Sequence, residues 1–258
     1  MLERFFYFLN VEITATGLIL TSQLPLWKRV KGAGIVHHLP HQIDPNFVIL
    51  QEHWGIAFEA FGKKLRFLKV TIPDRWARYF VFSPPSSAKR IADLHASACM
   101  RFEALFSESS DEWTLVGDWS NPSNIVVCAV PNKLIKDIHD LANQNKQYVV
   151  SLEPNFIQKW NQCKDYISDK SWFAISSAEG LAVVVIHNRV IQNVAFLPQP
   201  GSQDLVWLCK QLRKISTLYQ FSLPHQLQIA GHIPDHWNLV SINAKTTIPI
   251  YALTLTEQ

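Results

Sequence analysis

Imidazole, thiol, carboxylate and hydroxyl groups are the side chains that could do chemistry here, and their spacing limits what they can do. His37, His38 and His41 lie close together, and His225, His232 and His236 form a second, looser group. Neither group has a nearby cysteine or the His-Glu-x-x-His spacing that sets two ligands on one helical face. Both read as loop histidines, and no metal site is expected. Cys99, Cys128, Cys163 and Cys209 are far apart in sequence, with no Cys-x-x-Cys pair. They read as reduced, mostly buried thiols rather than a disulfide framework. Ser151 and Glu153 end an extended run, a position where α/β enzymes hold reactive groups. Glu153 directly before Pro154 is nevertheless accounted for by a helix start, with proline in the first turn and a carboxylate near the positive helix end. No G-x-S-x-G, G-x-x-x-x-G-K-[ST] or G-x-G-x-x-G motif occurs, and no catalytic residue is expected.

Aromatic residues are the other candidates for function. The chain holds 9 Trp, 15 Phe and 6 Tyr, most of which serve to fill a core. Trp27, Trp54, Trp76, Trp119 and Trp237 fall near predicted turns or element ends, where full burial is harder. At least one exposed aromatic groove for a partner is expected. Arg75, Trp76, Arg78 and Tyr79 combine arginine with aromatic rings in the manner of interface hot spots and are the best local candidates.

The elements that position these groups can be read from periodicity. Residues 125–130 are almost wholly apolar, the pattern of a strand covered on both faces. Leu134, Ile135, Ile138, Leu141 and Ala142 then recur at helical spacing, opposite Lys133, Lys136, Asp137 and Asp140. Residues 148–152 are extended again, and a second helix follows from Glu153 and Pro154. A strand, a short helical crossover and a strand imply a parallel pair, and hence an α/β domain.

Upstream, residues 6–13 and 18–21 flank a compact turn ending at Gly17 and predict a β-hairpin. A third strand is expected over 30–38, a partly helical segment over 47–61 and strands over 65–72 and 76–82. Ser83, Pro84, Pro85, Ser86 and Ser87 form a break in which Ser86 or Ser87 can cap a helix over 88–106. A short strand over 111–119 follows. Residues 171–196 read as a three-stranded meander with a Ser-Ala-Glu-Gly turn. A helix over 204–219, a strand over 227–230 ending at Gly231 and two short strands complete the chain. Both halves thus open with strand, tight turn, strand, third strand, helix and strand, a repeat of structure rather than of residues.

Composition sets the outer limits. The 258 residues are 48% hydrophobic and 17% charged, with a formal net charge of +3. That is enough apolar material for a large core and too little basic excess to argue for nucleic acid. No run of apolar residues is long enough to span a bilayer, and the first residues lack a signal-peptide cleavage pattern. A cytoplasmic protein is expected.

The doubled order of elements resembles the actin-like ATPase superfamily, the fold of actin, sugar kinases and Hsp70. Residues 129–131, the helix after them, residues 149–154 and the helix holding Asn161 are similar to one branch. That branch comprises the PilM-like proteins of type IV pilus machines and the cytoplasmic part of GspL-like type II secretion proteins. Residues 78–84 and 171–174, with the Glu179-Gly180 turn and Arg189, also resemble stretches of these proteins. The resemblance implies a duplicated, ribonuclease H-like α/β fold of two lobes, each a mixed sheet flanked by helices. Lobe boundaries are expected at 1–168 and 169–258, the first lobe including an inserted subdomain and the bridging strand–helix unit.

Actin-like ATPases carry an Asp-x-Gly type turn in each hairpin, where carboxylate orders the metal and glycine lets backbone amides approach phosphate. Here the first aspartate position falls at Glu12 and the glycine position at Thr14. The second hairpin offers Ser176 and Ala178, and the adenosine-binding glycine pair is reduced to Gly231. The resemblance therefore implies a decayed nucleotide site, with no cofactor and no enzymatic activity. Were ATP and Mg²⁺ bound, Thr14, Thr16, Ser176 and Gly231 would surround them. It further implies a non-catalytic scaffold of an inner-membrane assembly platform for pili, secretion or competence. Its expected partners are the cytoplasmic tail of an inner-membrane assembly protein, an assembly ATPase, or both. Membrane association would be peripheral, through the partner, and a homodimer is left open.

Overall fold

The computed structural model describes residues 8–14, 17–23, 35–38, 48–59, 66–119, 124–169, 171–177, 179–188, 190–198, 205–231, 233, 237, 239–243 and 246–253. In chain order the elements are β1 (Phe8–Thr14), β2 (Gly17–Gln23), β3 (Ile35–His38), α1 (Val48–Glu59), β4 (Arg66–Ile72), β5 (Arg78–Phe82) and α2 (Ile91–Phe106). Then follow β6 (Trp113–Gly117), β7 (Ile125–Pro131), α3 (Asn132–Gln144), β8 (Gln147–Pro154) and α4 (Asn155–Cys163). The last part holds β9 (Ser171–Ser177), β10 (Gly180–His187), β11 (Val190–Pro198), α5 (Leu205–Tyr219), β12 (Gln226–Gly231), β13 (Leu239–Asn243) and β14 (Thr246–Ala252). They form two compact units, Met1–Trp76 with Pro131–Gln158, and Ala77–Val130 with Lys159–Gln258.

The first unit is a five-stranded sheet of order β3-β2-β1-β4-β8. β1 and β2 form the expected hairpin, and β4 and β8 run parallel to β1. Alternation along the strands divides the faces. Leu9, Val11, Ile13, Leu18, Leu20, Leu68, Val70 and Ile72 are buried on one side. Trp54 of α1 is fully buried and its indole Nε1 donates to Gln147 Oε1 at 2.9 Å, so the helix joins β8 by a satisfied polar contact.

The second unit holds two sheets. Its six-stranded sheet has the order β11-β10-β9-β12-β14-β13. Here β9 and β10 are the hairpin, β11 is antiparallel to β10, and β12 and then β14 run parallel to β9. Leu208, Leu212 and Ile215 of α5 pack on Trp172, Ala174, Leu181, Val183, Leu227 and Ile229. On the opposite face Phe173 meets Trp160 of α4, ring centroids 5.9 Å apart. β9 is buried almost throughout as a result. The smaller sheet, β5-β7-β6, carries α2, with Phe80, Phe82, Leu94, Ala98, Phe102, Ile125 and Val127 as its core.

Several expectations change. β7 and β8, predicted as a parallel pair, lie in different sheets. β7 pairs antiparallel with β5, whereas β8 pairs parallel with β4. The chain enters the first unit at Pro131 and leaves it after Gln158, so residues 124–161 do link the units, without joining their sheets. Residues 77–130 group with the second unit rather than with a lobe spanning 1–168. Inside that unit β5 lies against β11, and Asn124 Nδ2 donates to Gln192 Oε1 at 3.3 Å.

Helix starts also move. α2 begins at Ile91, beyond Ser86 and Ser87, where the Asp93 carboxylate accepts the Arg90 N–H at 3.2 Å. Pro154 closes β8, and α4 starts one residue later. Its end is satisfied by Asp74, buried after β4, whose carboxylate accepts the Phe156 N–H at 2.7 Å and the Asn155 side-chain amide at 3.3 Å. Glu153 instead accepts the Ser151 hydroxyl at 2.6 Å.

A carboxylate on a buried helix N-terminus stabilises both the orphan amide and the helix dipole. Asp74→Ala should lower the unfolding free energy by about 2 kcal/mol, measured by urea denaturation. Asp74→Asn, whose amide oxygen still accepts, should recover part of the loss. Thiol reactivity supplies a second check. Cys128 and Cys163 are buried and Cys99 and Cys209 half-buried. Burial pushes the Cys163 thiol above its ordinary pKa, with Lys159 opposing. In native protein at pH 8, alkylation should reach Cys99 and Cys209 first and Cys163 last, read by mass spectrometry.

Candidate functional site

The C-terminal ends of parallel strands are where α/β folds gather chemistry. In the first unit the strand register lines up Glu12 of β1, Thr71 of β4 and Glu153 of β8. Thr71 is buried, and the strands bearing the two carboxylates are two spacings apart, about 9.6 Å. Glu153 is already engaged by Ser151. The next carboxylate along, Asp74, is turned into α4. Among the described residues, no three His, Cys, Asp or Glu side chains gather as a metal-binding group. Of the histidines, His225 is exposed and His37 and His38 lie in β3, whereas His41, His232 and His236 fall outside the described residues.

The two hairpin turns share one construction. Thr14 pairs with Gly17, and its Oγ1 donates to the Gly17 carbonyl at 3.1 Å. Ser177 pairs with Gly180, and its Oγ donates to the Gly180 carbonyl at 3.2 Å. The Ser177 hydroxyl also accepts the Glu179 N–H at 3.3 Å. Both turns are thus a hydroxyl residue, two further residues and a glycine, a correspondence at the level of residues. Gly180 is needed there because a Cβ would sit 2.4 Å from the Leu197 carbonyl oxygen.

By this equivalence Ser177, not Ala178, corresponds to Thr14, and Ile175, not Ser176, corresponds to Glu12. Ser176 pairs with Leu181 and points to the face carrying α5, where it is buried. β12 brings Gly231 to Ser176 as the last pair of their ladder. Gly231 has φ +95°, and a Cβ would lie 2.2 Å from the Ser176 carbonyl oxygen. Its glycine is therefore required by strand packing, independently of any ligand. Thr14 belongs to the first unit, Ser176 and Gly231 to the second, and Thr16 and Ala178 lie outside the described residues.

The arginine and aromatic candidates divide in the same way. Arg75 and Trp76 lie in the first unit, with the guanidinium 5.6 Å from the indole centroid. Arg78 and Tyr79 lie in the second. Tyr79 is buried in β5, and Arg78 is held by Glu108 at 3.4 Å and by the Phe106 and Trp113 rings. Trp54 and Trp237, expected near element ends, are 0% and 2% exposed. Exposed aromatic surface instead crosses the outer face of the first sheet, where Phe8, Phe67 and Tyr148 are in register on β1, β4 and β8. Their centroids are 5.9 and 6.2 Å apart, and Lys69 Nζ lies 5.6 Å from the Phe8 ring. Period-two alternation would have found this row had the pairing been known.

No family model matches the chain, and no curated protein matches it. Solved structures do. The PilM–PilN type IV pilus biogenesis complex matches with a TM-score of 0.65 at 14% identity, over 86% of this chain and 80% of that one. The cytoplasmic domain of EpsL, an inner membrane component of the type II secretion system of Vibrio cholerae, gives 0.61 at 11% identity, over 96% and 90%. A Bacteroides thetaiotaomicron protein with an actin-like ATPase fold and unknown function gives 0.54 at 7% identity, over 89% and 83%. The chain has the actin-like fold.

Within that actin-like fold the repeat is explicit, since β3-β2-β1-β4-β8 and β11-β10-β9-β12-β14 have the same order and sense of pairing around the central strands. Gly231 tests how firmly the second copy is closed. Gly231→Ala should destabilise the protein by about 2–4 kcal/mol, seen as a lowered urea midpoint. Gly55→Ala makes the control, because its Cβ would meet nothing nearer than Asn145 Oδ1 at 3.7 Å and a helical alanine gains propensity.

Proposed function

We propose that the chain is a non-catalytic scaffold of an inner-membrane assembly platform of the pilus, secretion or competence type. In this reading it binds the cytoplasmic tail of a membrane protein, an assembly ATPase, or both. The observation that carries the reading is the internal closure of the hairpin turns. A phosphate-binding turn must offer free backbone amides and room. Here the Glu179 N–H is taken by Ser177, the hydroxyls of Thr14 and Ser177 are spent on glycine carbonyls, and the second hairpin has Ile175 opposite Glu12. The actin-like folds of PilM–PilN and of the EpsL cytoplasmic domain support the platform setting. Among the described residues no helix is long and apolar enough to cross a membrane; in this reading membrane association runs through the partner.

Titrating the chain with ATP and Mg²⁺ in a calorimeter should give no saturable heat at millimolar nucleotide. Micromolar binding abolished by Thr14→Arg would overturn the scaffold assignment in favour of an ATP-binding protein with unusual phosphate loops. The platform assignment is tested separately by purifying tagged chain from detergent-solubilised membranes of its source. A single-span membrane protein whose synthetic cytoplasmic tail binds the purified chain is expected. Recovery of soluble metabolic enzymes alone would refute the platform role.

A further inference from the structure

The second unit contains a groove of about 690 Å³ whose lining does not include Ser177 or Gly180 of its hairpin turn. One wall is α2, through Met100, Arg101 and Ala104. The other is the end of β5 with Ser83 and Asn124, closed by Gln192 of β11. Its volume falls within the roughly 300–1,000 Å³ typical of ligand sites. β5 and β11 each end their own sheet and lie against one another, so the groove crosses the junction of the two sheets beside α2.

The polar chemistry of the groove has a direction. Ser83 Oγ donates to Asn124 Oδ1 at 2.7 Å, and Asn124 Nδ2 donates to Gln192 Oε1 at 3.3 Å. The relay ends on the Gln192 amide nitrogen, a donor. Arg101 is exposed, has no ion pair among the described residues, and is the one charged group lining the groove. Met100, next to it, is 73% exposed, an adaptable apolar side chain left in water. Donors and a cation without a carboxylate call for an anionic ligand, and the methionine calls for an apolar neighbour to it.

We propose that this groove docks an acidic segment of a partner protein. A carboxylate sits against Arg101 and the Gln192 amide, and an adjacent aliphatic or aromatic side chain covers Met100. The proposal rests on the platform reading for the source of that segment, and on the groove alone for its chemistry.

Phage-displayed random octapeptides selected on the whole chain test it. Selection should enrich Asp or Glu next to an aliphatic or aromatic residue. A fluorescein-labelled enriched peptide should then bind about ten-fold or more weakly to Arg101→Glu in anisotropy titrations. Met100→Ser should also weaken it, and selection on Arg101→Glu should favour Lys or Arg instead. Both positions are exposed, so circular dichroism should show the variants folded as wild type. Absence of enrichment, enrichment without carboxylates, or equal binding to Arg101→Glu would overturn the proposal. So would full displacement by millimolar citrate, which would mark a small-anion site. Because display is blind to the machine, these failures leave the platform reading standing, and failure to recover a membrane partner leaves the groove chemistry standing.

Discussion

One parallel strand pair organises each unit, β1 with β4 and β9 with β12. Parallel neighbours cannot be joined by a tight turn, so the chain must leave the sheet and return through a helical crossover. α1 and α5 lie in those crossovers. The hairpin partner and third strand are then confined to the other side of β1 or β9, which fixes the shared order. The same pairing brings each hairpin turn to the end where the returning strand finishes. In the second unit the approach is so close that β12 must end in a residue without a Cβ, and Gly231 supplies it against the Ser176 carbonyl. A glycine that could be taken for a ligand contact is thus set by backbone separation.

Once the turns occupy those ends, their side chains decide what they can hold. A hydroxyl at the last strand residue reaches the carbonyl of the glycine that begins the next strand, in both units. The bond is local and satisfies turn groups that would otherwise face outward. In the second hairpin the same hydroxyl also takes up the Glu179 amide. The carboxylates nearby are drawn into similar local duties, Asp74 on the α4 terminus and Glu153 on Ser151. Groups whose hydrogen bonds stabilise the fold are less available to a ligand, because exchanging them leaves a polar partner unsatisfied.

What could be read from sequence was local. The β-branched runs of β9 and β10, the 3.6-residue stripe of α3 and the glycine-ended turns each announce themselves within a window of a dozen residues. The doubled order of elements followed from them, and with it the fold. Contacts distant in sequence were not legible. Asp74 caps a helix at Phe156, and Trp54 bonds Gln147, pairs separated by 82 and 93 positions. β7 looked like the parallel neighbour of β8 because an apolar strand pattern records burial and not the identity of the strand beside it. Matching the two turns through their glycines moves the second hairpin's positions from Ser176 and Ala178 to Ile175 and Ser177, a shift of one residue, which reverses the face.

The insertion carrying α2 stands outside the repeat, between β4 and α3, with no counterpart after β12. It has its own aromatic core, in which Phe80, Phe102, Phe106 and Trp113 contact one another. α2 is held by that core along Leu94, Ala98 and Phe102, leaving Ile91, Met100 and Leu105 in water. Apolar side chains in water are stabilised by being covered, at about 25 cal/mol per Å². A helix with such residues in water is therefore stabilised by whatever covers that face. The insertion thus differs from the duplicated sheets in kind: their apolar strands are covered within the fold, whereas part of its helix is not.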